Sequence, residues 1–333
     1  MSTQSAAGRL PSNRRFVDRF GDRALVGTTI VASVAVVVIL ALIVEHVVNG
    51  STDAISRFGI GFLWHTIWNP STSPGVVNAN VFGAGVWVYG TIVTSGIGLI
   101  IAFPLGVAIG VFLALLAPGR AGAVIGPLVE LLAAIPSVVI GLWGIIVLAP
   151  FMRSVVEPVF HDVLGFIPIF GAPSTTGLGI MTAGFVLALM ALPIIASISR
   201  DIFLSVPREL KDGALALGAT RWEMIRGVVL DSTRSGLMAA GILGLSRALG
   251  EAIAVTQVIG AGTSLPGGVF GNSFFNNGDT LASKIAEVFP GTNHLFTASL
   301  FYLAVILLVI ELIVNLTAQL IVYRFERRQG LVR

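Results

Sequence analysis

The chain has 333 residues, of which 55% are hydrophobic and only 11% charged, with a mean hydropathy of +0.93. Soluble domains carry about 25% charged residues, so most of this surface must face lipid. The absence of cysteine excludes disulfides, thiolate metal sites and cysteine nucleophiles. The four histidines, His46, His65, His161 and His294, show no metal-ligand spacing. The net charge of +3 comes from basic residues that form no groove-binding stripe, so nucleic acid is not an expected partner.

In chain order, residues 1–23 form a basic tail holding Arg9, Arg14, Arg15, Arg19 and Arg23. An apolar run over 24–48 follows with no small-residue cleavage site, which predicts a retained membrane anchor. A membrane-spanning helix needs about 20 mostly apolar residues. Five more stretches meet that length, at 87–117, 124–150, 178–204, 232–261 and 297–323, giving an all-α integral membrane protein of about six spans. Pro104, Pro136 and Pro193 fall inside spans two, three and four, where neighbouring groups can satisfy the freed backbone. Spans two and five are long enough to tilt or to run past the bilayer.

The basic residues sort by side. If the spans alternate, fifteen lie on one side: the tail arginines, Arg120, Arg200, Arg208, Lys211, Arg221, Arg226, and the four beyond span six. Arg57, Arg153 and Lys284 lie on the other, and Arg234 and Arg247 fall within span five. This asymmetry places both termini and the 205–228 loop in the cytoplasm, with a C-terminal tail from 324 to 333. The opposite segments, 49–86, 151–177 and 262–296, are rich in Gly, Pro, Asn, Ser and aromatics such as Phe62, Trp64, Trp68, Phe274 and Phe275. Such aromatics suit anchoring at the membrane boundary; the sharper alternative is a docking surface for an external partner.

The most informative stretch is 206–250, VPRELKDGALALGATRWEMIRGVVLDSTRSGLMAAGILGLSRALG. Pro207 marks a helix start, Leu210, Ala214 and Leu217 share a face at helical spacing, and Gly218 suits a C-terminal cap. A second short helix carries Trp222, Met224 and Ile225. A cytoplasmic helix of this kind either fits a socket on another protein or lies on headgroups.

The spacing resembles the coupling-loop signature of ABC importer permeases, EAA followed after three residues by Gly and after nine more by I-x-L-P. Asp212, Gly213 and Ala214 stand at the EAA positions, Gly218 at the glycine, and Val228 and Leu230 at the I and L positions. Asp212 replaces Glu, Gly213 replaces Ala and Asp231 replaces the usual proline. The resemblance implies a type I importer permease of MetI-like architecture, whose loop, here Glu209 to Trp222 with Leu217 among its contacts, inserts into a separate ATPase. The permease domain would then cover 87–323. Lys211 and Lys284, the only lysines, lack a P-loop context, so no cofactor is expected on this chain. ATP and Mg would sit on the partner, and the chain would be no enzyme.

Three further motifs resemble the phosphate importer's permeases: Ile135-Pro136-Ser137 with VVIGLWG, the stretch from Gly90-Thr91 to Thr94-Ser95, and Arg247-Ala248-Leu249-Gly250-Glu251. GLSRALGEAIAVTQVIGA and the outer Trp68-Asn69-Pro70 are more similar to the PstC-type subunit than to its PstA-type partner. The resemblance implies three partners besides lipid: a PstA-type permease, a pair of PstB-type ATPase chains and an external PstS-type phosphate-binding protein. It also implies residence in the cell's inner or plasma membrane. Another oxyanion, such as sulfate or molybdate, is the alternative cargo.

One pair carries independent physical weight. Arg247 lies about 22 Å into span five at 1.5 Å per residue, where an unpaired guanidinium costs about 2.5–3.5 kcal/mol. Glu251, four residues on, would share its helical face and neutralise it. The pair is either structural or an anion station, for which the planar fork of arginine suits phosphate oxygens. The pair sums to zero charge, so a second basic residue from the partner permease, or a change of state at Glu251, is expected. Ser137, after a mid-span proline, and Thr94 are further substrate-path candidates, set against bonding within their own helix or close packing. Glu130 is expected near the cytoplasmic end of its span, and Glu311 at the middle of span six, bonding across a helix interface. A secondary transporter using Glu251 or Glu311 as proton carrier is disfavoured by the lack of a visible repeat, and an intramembrane enzyme by the lack of a nucleophile–base pair or ligand set.

Overall fold

The computed structural model describes residues 12–71, 80–117, 119–266, 268–288 and 293–328. The chain divides into two compact units, Met1–Gly50 and Ser51–Arg333. Five helices among the described residues are long and apolar enough to cross a membrane, and a bent pair makes a sixth. The expected number of spans is therefore met, but several boundaries move.

The first unit is helical from Ser12, inside the expected basic tail, whose first eleven residues lie outside the described part. Leu25, Ile30, Val34, Val37 and Ile43 all expose more than half of their surface. A helix apolar on every side is suited to lipid on every side.

In the second unit, the same helix, α1 (Ser12–Phe58), continues past the expected end at residue 48. Nothing between 51 and 58 breaks a helix, and Gly59, in the left-handed region at φ +52°, ends it. A short 3-10 turn and a two-stranded antiparallel ribbon, Trp68–Asn69 against Val81–Phe82, follow. The aromatics here turn inward. Phe62 stacks on Tyr302 with ring centroids 4.5 Å apart, and Trp68 meets Phe82 and Trp87 edge-on at 4.9 and 4.7 Å. Phe62 and Phe275 are fully buried and do not fit boundary anchoring; Trp64 remains exposed, and Trp68 and Phe274 are half-buried.

The centre of the unit is the packing of α2 (Gly85–Leu116) on α5 (Ile180–Ser205). Small residues let the two backbones approach. A Cβ on Gly106 would stand 2.8 Å from Ile195 Cγ2, and one on Gly110 2.7 Å from Ser199 Cβ. Gly110→Val should therefore destabilise the assembled protein by about 1–3 kcal/mol through overpacking, read as a lower melting temperature of the purified complex.

The third expected span, 124–150, straddles a break. Helix α3 (Gly119–Ala133) stops, residues 134–136 are non-helical, and α4 (Ser137–Leu164) restarts and runs well into the segment expected to be an outer loop. Pro136 lacks an N–H and drives Ile135 out of the helical region. The apolar part of α3, Val124–Ala133, is too short to span, and α3 packs against α5, where Arg200 Nη1 meets Glu130 Oε1 at 3.2 Å.

Beyond α5 come α6 (Arg208–Ala216), α7 (Arg221–Ser232) and α8 (Arg234–Gly250). The expected continuous fifth span, 232–261, begins at a 72° bend between α7 and α8 and is broken at residues 251–252, before α9 (Ile253–Val258). Helix α10 (Leu281–Glu287) packs on α9 and α2, and α11 (His294–Arg328) closes the bundle against α8. Residues 329–333 of the expected C-terminal tail lie outside the described part.

Candidate translocation path and coupling surface

The sequence candidates fall in two regions of the fold. The first is α6 and its flanks. Pro207 is extended at φ −52° and ψ 139° and starts α6. The helix ends at Leu217, and Gly218 adopts φ +87°, as a left-handed cap requires. The cap carbonyls are satisfied: Leu217 N–H donates to Gly213 O, Gly218 N–H to Leu215 O and Ala219 N–H to Ala214 O, at 3.0–3.2 Å. Thr220 then opens α7 through a capping box, its hydroxyl accepting from Glu223 N–H while Glu223 accepts from Thr220 N–H at 2.8 Å.

No residue of α6 is buried. Glu209, Leu210, Asp212, Gly213, Leu217, Gly218 and Trp222 are exposed, Leu217 at 92% and Trp222 at 64%. The predicted single apolar face is split. Ala214 packs inward on Phe203, Val206, Met224, Ile225 and Val229, while Leu210 and Leu217 are exposed. Sequence reasoning passed over Lys211 as a positioning group. Its ammonium donates to Phe203 O at 2.9 Å, fixing α6 to the end of α5. Burial, with Arg208 nearby, lowers its pKa from the usual lysine value.

The second surface lies around the interrupted helices. At the start of α4, Pro136 O accepts from Val139 and Ile140 N–H at 3.0 and 3.3 Å. The amides of Ser137 and Val138 have no acceptor among the described residues, as the first turn of a helix leaves them. Ser137 is half-buried beside exposed Pro136 and Val138. Helix α9 packs on α4, with Gln257 and Ala254 against Gly141.

Arg247 sits on the last turn of α8, about 20 Å along the helix from Arg234 at 1.5 Å per residue. It is exposed and has no hydrogen bond or ion pair among the described residues. The expected pairing with Glu251 is not formed. The helix stops at Gly250, Glu251 is extended at ψ 114°, and its Oε1 accepts from Ala254 N–H at 3.3 Å, capping α9. The four-residue rule that predicted the pair holds only inside a continuous helix.

Thr94 is not brought to this surface. It is 1% exposed, its hydroxyl donates to Gly90 O at 2.7 Å, and its carbonyl lies against Gly184 of α5. The neighbouring Gly90-Thr91 has a different task. A Cβ on Gly90 would collide with Asp279 O, and Thr91 Oγ1 accepts from Leu281 N–H at 2.9 Å, so this pair seats α10 on α2. Asp279 is buried there, accepting from Trp87 Nε1–H at 2.9 Å and Thr280 N–H at 2.8 Å, with Lys284 Nζ at 4.0 Å. Burial raises the Asp279 pKa above the usual carboxylate value, against the pull of these donors. Glu311 is half-buried on α11, with its Oε1 3.3 Å from the place of a Cβ on Gly250.

The family described as "Binding-protein-dependent transport system inner membrane component" matches residues 106–330. The chain is 39% identical over 306 residues to the phosphate transport system permease protein PstC of Haemophilus influenzae, covering 91% of this chain and 93% of that one. It is 39% identical over 322 residues to PstC of Mesorhizobium japonicum, covering 95% and 94%. Among solved structures, the inward-facing MetNI methionine ABC transporter matches with a TM-score of 0.50 at 21% identity, over 74% of this chain and 97% of that one, which speaks for the fold. The interrupted bundle with an exposed, glycine-capped helix between its fourth and fifth spans is thus that of the binding-protein-dependent transport system inner membrane components, and the chain belongs to this family, in its PstC branch.

Proposed function

We propose that the chain is the permease subunit of an ATP-driven importer of inorganic phosphate, forming half of the path while a PstA-type permease forms the other. The observation that carries the reading is the exposed element from α6 through Gly218 to Trp222. It is rigidly capped, fixed to α5 by Lys211, and joined directly through α7 to the bend before α8. Force applied there reaches α8, which carries Arg247 on its last turn. The motor is a PstB-type ATPase pair, which holds ATP and Mg; the cargo arrives on a PstS-type binding protein. Both termini and α6 lie on the cytoplasmic side, following the distribution of basic residues.

Arg247 is the anion station in this scheme. Its guanidinium offers a planar fork of donors to phosphate oxygens, and the free first-turn amides of α4 beside Ser137 supply a second positive end. Glu251, held at the start of α9, shapes the break instead of neutralising Arg247.

The test is purification of the tagged chain from native membranes. A nucleotide-binding chain and a second permease should co-purify. In proteoliposomes with the binding protein, the complex should accumulate phosphate only with ATP, and tenfold sulfate or molybdate should not compete. Uptake driven by a proton gradient without ATP overturns the importer reading. Competition by sulfate or molybdate overturns the cargo.

A further inference from the structure

Helix α11 carries three polar side chains at four-residue intervals, Glu311, Asn315 and Gln319, within a largely aliphatic sequence. That spacing places them on one stripe. The stripe runs antiparallel along α8. Ser246 Oγ donates to Asn315 Oδ1 at 2.7 Å, and Glu311 Oε1 lies 3.3 Å from the place of a Cβ on Gly250. Further along, Asn315 and Gln319 line a cavity of about 350 Å³ with Ala239, Ile242 and Leu243.

Glu311 stands out on this stripe. Among the described residues its carboxylate has no hydrogen bond and no ion pair. Gly250, against which it lies, is one helical turn beyond Arg247, whose guanidinium is equally without a partner. Gly250 has no side chain to stand between them. Two opposite charges in a membrane bundle, each unpaired among the described residues, one on Arg247 and the other against a glycine three residues further on, have a strong reason to meet, since an isolated charge at depth is costly. The competing carboxylate, Glu251, is engaged at the start of α9.

We propose that Glu311 is the positioning residue that receives the Arg247 guanidinium whenever no anion occupies it. In the loaded path the guanidinium faces the anion; in the empty path it swings to Glu311 by side-chain rotation, with no helix displaced. Glu311 thereby competes with the anion and promotes its release, which a fixed, uncompensated cation would hinder. The proposal rests on the reading of Arg247 as the anion station.

The experiment uses the full complex in proteoliposomes with radiolabelled inorganic phosphate. Glu311→Gln should slow uptake about tenfold while increasing the phosphate retained on the complex after rapid filtration, because release and not binding is impaired. Glu311→Asp, which keeps the charge but shortens its reach, should fall between. In a thermal double-mutant cycle on the ligand-free complex, the melting-temperature losses of Arg247→Gln and Glu311→Gln should be less than additive. Wild-type uptake and retention in Glu311→Gln, or strictly additive losses, overturn the proposal. If Glu311→Gln fails to assemble, Glu311→Asp decides: slower uptake with raised retention supports it, and wild-type values on both overturn it. Normal transport by Arg247→Lys would instead sink the anion station itself, whatever Glu311 does.

Discussion

Replacing Arg247 by lysine should cut phosphate uptake by about a hundredfold in a complex that still assembles, equivalent to about 2.7 kcal/mol at 1.36 kcal/mol per decade. The charge is kept, so its membrane cost is kept as well. What is lost is the planar fork, which can bond two phosphate oxygens at once where an ammonium acts as a point charge. Because Arg247 is exposed and has no partner among the described residues, and because lysine keeps the charge that Glu311 would receive, the substitution is expected to cost little stability. A stability effect can therefore be separated from a transport effect. The measurement is ATP-dependent uptake beside the melting temperature of the purified complex. Unchanged uptake, or a loss of uptake matched by loss of assembly, would remove Arg247 from the path.

The second large effect is expected on the coupling surface. Leu217→Glu should leave the melting temperature of the isolated permease pair within error and weaken ATPase binding by about thirtyfold or more, since a central apolar anchor at an interface is worth about 2 kcal/mol or more. Leu217 is 92% exposed, so its side chain adds little to the packing of the chain itself, and the proposed coupling role gives its apolar surface a partner. Gly218→Val acts differently. At φ +87° a β-branched residue is strained, so the turn that joins α6 to α7 reorganises and the ATPase is lost together with some stability of the permease itself. Binding of the ATPase to the permease pair, measured by co-elution across a concentration series, distinguishes the two. Normal affinity in Leu217→Glu would place the docking surface elsewhere.

The relation between residues and fold is clearest where the two diverge. Composition alone forces a lipid-facing bundle, because 11% charged residues cannot clothe a water-soluble surface of this size. Run length yields the number of spans, since hydrocarbon thickness sets a minimum that local contacts cannot change. The helical start at Pro207, the cap at Gly218 and the break in the helix after α5 are equally local, because they depend on backbone conformations that only certain residues adopt. The exposed helix and its glycine cap are therefore legible in the residues themselves.

What the tertiary structure decided is where helices stop inside the membrane and which charges meet. Pro136 could have kinked a helix or ended it; packing of α3 on α5 and of α9 on α4 allows it to end one. Nothing in RALGEAIA announces a break after Gly250, yet that break separates Arg247 from Glu251 and hands the latter to Ala254 N–H. Thr94, equally plausible as a path residue by sequence, is sealed into the α2–α5 contact. Glu311 lies 64 positions from Arg247, and only the antiparallel packing of α11 on α8 brings it to Gly250. Periodicity describes one helix at a time. The company a charged side chain keeps is set by the neighbouring helix, and sequence spacing holds no record of that.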